Sequence, residues 1–177
     1  DNTKILAHLY KGKISNIKKP LKIEIGYFNA KNMKFNRLDF SNTWCWQMGA
    51  RLMWHPTEPN TCIYNISNEK GYASRAMNVI TGDVEHEYDF PIYDLSPCGN
   101  YAASLNFSRL HNARAGYGYV NFPDEFKDIK HPKDDGVWIY ELSTKKYKLI
   151  VSLDKLREFN KDIIHDFESM GYINHLH

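Results

Sequence analysis

Cysteine is scarce in this chain: three residues, Cys45, Cys62 and Cys98, lie far apart along 177 positions. No CxxC pair or Cys/His zinc spacing occurs, which excludes a recognisable structural zinc site, and three cysteines cannot build a small disulfide scaffold. The odd count favours free, interior thiols and a reducing compartment, a cytoplasm over a periplasm. Ten glycines and seven prolines are too few for a collagen-like repeat or a low-complexity disordered chain. No apolar run reaches the roughly 18 residues of a membrane-spanning helix. Charge of one sign is also lacking. Lys and Arg number 23 against 21 Asp and Glu, a net +2, so a nucleic-acid partner is not expected. No Gly-rich phosphate loop, nucleophile elbow or paired-carboxylate motif occurs, and nucleotide hydrolysis and serine-type hydrolysis find no support.

What the sequence has is aromatics: 12 Tyr, 9 Phe and 4 Trp, or 14%. These favour strands and stacking surfaces without naming a reaction. It also repeats. His55-Pro56 before the run Thr61 to Ile66, and Ser96-Pro97 before Tyr101 to Phe107, superpose without gaps at an offset of 41 residues. The same offset aligns Asn65 with Asn106 and Ser67 with Ser108. Residues 1–10 match this turn-then-strand unit, entered at its turn. Paired runs follow in each unit: Leu21 to Phe28 with Met33 to Phe40, Arg75 to Ile80 with Val84 to Phe90, and Gly136 to Leu142 with Tyr147 to Leu153. Each pair is joined by Asn, Asp, Gly or Lys turn residues, a hairpin signal.

Four strands per period of about 40 residues is a propeller-blade signature. The expectation is therefore an all-β, partial β-propeller of about three four-stranded antiparallel blades, 1–43, 44–91 and 92–153, with an ordinary meander or sandwich as the alternative. The third blade carries a long loop insertion, 109–135. A short amphipathic helical insertion, 154–170, with apolar residues at Leu156, Phe159, Ile163, Ile164 and Phe167, precedes the start of a further blade at 171–177. A closed propeller has four to eight blades, so the chain reads as an open arc of a larger ring.

The expected inner strands, Trp46 to Trp54, Phe90 to Leu95 and Tyr172 to His177, would line a central channel. They offer Gln47, Arg51, Asp94, Asn174, His175 and His177. Two residues apart on a strand, His175 and His177 would project from one face and could share a divalent metal ion. The insertion begins with Arg109, His111 and Arg114, followed by Tyr117 and Tyr119. Guanidinium forks grip carboxylates, and tyrosines can stack on sugars. The plainer reading of Arg109 and Arg114 is that they pin the loop to Asp124 or Glu125. Trp44, Trp46 and Trp54 are expected to pack between blades.

The Ser96-Pro97-Cys98-Gly99-Asn100 turn before a strand resembles the blades of TolB-type propellers. The long insertion and His175-x-His177 are similar to the oligogalacturonate lyase group of seven-bladed propellers. That resemblance implies a manganese-type ion, held by His175 and His177, and cleavage of an acidic oligosaccharide by β-elimination. Arg109 or Arg114 would then hold the uronate carboxylate and His111 would act as base, with Gln47, Arg51, Tyr117 and Tyr119 binding substrate. The competing expectation is a non-catalytic propeller whose rim docks a protein partner.

Overall fold

In the computed structural model, which describes residues 3–13, 18–161 and 169–176, the chain is an all-β fold of three antiparallel sheets. The first contains β1 (Lys4–Leu9), β2 (Ile23–Asn29) and β3 (Lys34–Ser41), in that order. The second contains β4 (Met53–Trp54), β5 (Thr61–Asn68), β6 (Gly71–Asn78) and β7 (Val84–Tyr88). The third contains β8 (Asp94–Leu95), β9 (Tyr101–Ser104), β10 (Gly136–Glu141) and β11 (Lys146–Ser152). Every sheet is a sequential meander. The hairpin turns carry the residues that local chemistry requires. Between β2 and β3, Asn29 Oδ1 accepts from the Lys31 amide at 2.9 Å and Asn32 Oδ1 from the Lys34 amide at 3.0 Å, closing Asx turns. A bulge follows Ile25, at Gly26. There a Cβ would stand 2.2 Å from the Asn36 carbonyl, so the close strand approach requires glycine.

Sheet two lies between the other two, and its sequence shows why. Residues 61–66 of β5 are buried without interruption, as in a strand covered on both faces, with Thr61 and Asn65 the polar exceptions among apolar residues. Its side chains nevertheless divide by parity. Cys62, Tyr64 and Ile66 pack with Ile23 and Ile25 of β2 and with Trp44. Ile63, with Ala76 of β6, packs against Ala102, Tyr140 and Leu142 of the third sheet and its turn. Full burial of an Ile or Tyr of this kind stabilises by roughly 1.5–3 kcal/mol. Polar contacts join the same seam. Asp39 of β3 accepts hydrogen bonds from Tyr64 Oη and, at 2.5 Å, from Arg75 Nη1. Burial raises the Asp39 carboxyl, but the Tyr64, Phe40 amide and Arg75 hydrogen bonds outweigh it and hold the group below its usual range.

The 41-residue offset recurs in the coordinates, where β4 and β8 begin 41 residues apart. The repeat then diverges. β5 runs on to Asn68, whereas β9 stops at Ser104 and α1 (Phe107–Ala113) follows. Asn106 causes the change: its side chain accepts from the Arg109 amide at 2.9 Å and caps the helix. The insertion expected as a loop therefore opens with a helix. Helix α2 (Leu153–Phe159) is N-capped by Ser152. Residues 162–168 of the expected helical insertion, with Ile163, Ile164 and Phe167, lie outside the described residues. Of the expected strand Trp46 to Trp54 only its end, β4, is strand, residues 46–50 forming a turn closed by a Cys45–Gly49 bridge. The expected strand at Tyr172 to His177 has no strand pairing over its described residues, 172–176.

Candidate functional site

The insertion is organised around Arg109, whose charge is used entirely within the protein. Its Nε donates to the Gly171 carbonyl at 2.6 Å. Nη1 donates to Asp124 Oδ2 at 3.3 Å and to the Phe126 carbonyl at 3.1 Å. Nη2 donates to the Ile129 and Lys130 carbonyls at 2.8 and 2.6 Å. These contacts engage the whole guanidinium fork, and the residue is 1% exposed. Arg109 thus pins the loop to Asp124 and to its own backbone, and its position corrects the expectation that it grips a substrate carboxylate.

Tyr119 is similarly interior. Its ring stacks on Phe107 at 4.3 Å with planes 6° apart, and its hydroxyl accepts from Asn65 Nδ2 at 2.9 Å. Burial pushes the phenol well above its ordinary pKa. It supports the core instead of presenting a sugar platform. Gly118 explains how the loop can lie so close to α1: a Cβ there would stand 2.0 Å from the Phe107 carbonyl and 2.4 Å from the His111 amide.

The other nominated residues gather around this interior. Cys45, Tyr93, Leu105, Phe107, Leu110 and Tyr119 form a buried cluster, and Met48, Tyr117, Ile173 and Leu176 pack on it. The Gln47 amide donates to the Gly116 carbonyl at 3.2 Å, tying the 46–49 turn to the tip of the insertion. Arg114 is exposed and holds its guanidinium 3.8 Å above the Tyr117 ring. Arg51 lies 4.2 Å above the Tyr93 ring and donates to the Tyr93 carbonyl at 2.5 Å. The Tyr93 hydroxyl in turn accepts from the His175 amide at 3.1 Å and donates to Asn174 Oδ1 at 3.5 Å. Gln47, Arg51, Arg114, Tyr117 and His175 therefore surround one core cluster, with Trp46 exposed beside them. His111, half-buried on α1, is held below its usual pKa by burial, partly offset by a hydrogen bond to the Gly118 backbone.

His175 does not fit the metal arrangement. Its φ is +56° and it lies in a described segment without strand pairing, whereas a strand was expected there. His177 lies outside the described residues. Among the described residues, no three His, Cys, Asp or Glu side chains are grouped to hold an ion.

Tyr93, the hub of this arrangement, was not singled out by sequence reasoning, although its strand was. Its position next to Asp94 in an expected inner strand was the available signal. Comparison with known proteins finds no family model and no curated protein that matches this sequence.

Proposed function

We propose that the three sheets are successive blades of a TolB-type propeller, and that the surface formed by residues 46–51, 114–117 and 173–176 binds an acidic oligosaccharide without cleaving it. Sequential meanders packed face to face, with the middle one buried on both sides, support the blade reading. The observation that carries the ligand reading is the placement of two guanidinium groups, Arg51 and Arg114, each over a tyrosine ring and around one core cluster. Such groups offer bidentate donors to carboxylates, while Trp46 and Tyr117 offer apolar rings to sugar faces. The interior role of Arg109 and the left-handed backbone at His175 favour binding over metal-assisted β-elimination.

Titration with trigalacturonate, followed by tryptophan fluorescence and by absorbance of unsaturated uronate products, tests this reading. Saturable binding without product, weakened about tenfold or more by Arg114→Ala, is expected. Formation of unsaturated product overturns the non-catalytic part. Absence of binding overturns the ligand and returns the surface to docking of a protein partner.

A further inference from the structure

A separate cleft of about 370 Å³ opens beside the third sheet, bounded by the insertion and by the turn before β8. Trp138 and Tyr147, on adjacent strands, line it with Phe90, and three carboxylates, Glu125, Asp134 and Asp135, share the lining. Among the described residues, no Lys, Arg or His lines it. Glu125 and Asp134 are exposed and form no hydrogen bond or ion pair among the described residues. Asp135 is buried and fixed: Oδ2 accepts from Asn106 Nδ2 at 2.9 Å, and Oδ1 accepts from the Gly136 amide at 2.8 Å. The rings are mutually braced, Trp138 edge-on to Tyr147 at 5.7 Å and Phe90 stacked with Tyr147 at 5.7 Å.

A second observation points to a ligand. Ser104, cross-strand neighbour of Trp138, also lines the cleft. It is 1% exposed, and its hydroxyl has no hydrogen-bond partner among the described residues. An unsatisfied buried hydroxyl is costly, and an incoming N–H donor would remove that cost.

We propose that this cleft binds an organic ammonium ion, with the aromatic rings taking its alkyl body and cationic head, the carboxylates supplying the countercharge and the Ser104 hydroxyl accepting from an N–H. Aromatic faces attract ammonium groups, more strongly where water is excluded. Uronates are repelled by three carboxylates, and a neutral sugar, although its hydroxyls can donate to them, gains no charge attraction there. The cleft shares no residue with the oligosaccharide surface, so the two proposals stand or fall independently.

Calorimetric titration of the intact chain with n-butylammonium, tetramethylammonium, glucose and galacturonate provides the test. Saturable binding of both ammonium ions, weakened by salt and absent for both sugars, is expected. The double substitution Glu125→Gln with Asp134→Asn, at exposed positions that leave the fold intact, lowers ammonium affinity about tenfold or more. Ser104→Ala weakens n-butylammonium binding but leaves tetramethylammonium, which has no N–H, unchanged. Failure of both ammonium ions to saturate, or glucose binding indifferent to the double substitution, overturns the proposal.

Discussion

Arg109 and Asp124 meet at 3.3 Å in a pair closed to water, their side chains 1% and 0% exposed. Four backbone carbonyls share the same guanidinium, so the arginine closes the insertion as one unit with residue 171. Arg109→Ala is expected to cost about 3–5 kcal/mol, because it leaves a buried carboxylate and several carbonyls without donors. Arg109→Lys should rescue little, since an ammonium cannot reproduce the fork. Urea unfolding of the two variants measures both effects. An Arg109→Ala protein of native stability would contradict the structural role.

His8 makes stability depend on pH. Its Nε2 accepts the Ala50 amide at 3.1 Å, which requires a neutral ring, and burial lowers its pKa from 6.5 to about 4. Between those values the unfolded chain binds a proton that the folded chain refuses. Stability therefore rises as pH increases from about 4 to 6.5, by about 3 kcal/mol at most, and is fully present above that window. His8→Gln should flatten this slope when urea midpoints are compared at the two ends of the window.

Tyr93→Phe removes the hydroxyl that holds the His175 amide and Asn174. A hydrogen bond of this kind contributes about 1 kcal/mol, equivalent to a roughly fivefold change in local opening. Exchange of the His175 amide with deuterium should accelerate by that factor, while protection in β5 stays unchanged. Equal acceleration throughout the chain would instead indicate general destabilisation.

The three thiols should react in two classes. Cys98 is exposed, and its thiol is held below its usual range by hydrogen bonds from Ser96 and the Asn100 backbone. Cys45 and Cys62 are buried, and burial pushes them up to about 11 and about 12. A chromogenic disulfide reagent at neutral pH should therefore modify one thiol quickly in the folded chain and all three after denaturation. Rapid reaction of two or more without denaturant would contradict the burial of Cys45 or Cys62.

The hairpins were legible because their information is local. Asn29 and Asn32 sit where the first turn needs side-chain acceptors, and the runs flanking Ser143 to Lys146 form β10 and β11. The repeated Asn was also visible, but not its two uses. Asn65 stays within a strand, where it donates to the Ile92 carbonyl and accepts the Ile92 amide, both at 2.8 Å. Asn106 starts a helix and bridges Asp124 and Asp135. Identical residues at equivalent positions met different distant partners. The carboxylate-lined cleft was hidden for the same reason, since Ser104, Glu125 and Trp138 adjoin only after the insertion folds back.

By itself, then, the sequence determined the β-rich class, the succession of meanders and the 41-residue offset, because strand alternation and turn chemistry act over a few neighbours. Its scarcity of cysteine was equally decisive, leaving a core of packed aromatics and free thiols to hold the sheets. Tertiary structure decided which polar groups remain available to a ligand. An arginine carries the same charge whether it meets a substrate carboxylate or its own fold's carbonyls. For Arg109 those acceptors lie 15 to 62 residues away in sequence, and only the folded chain brings them within reach.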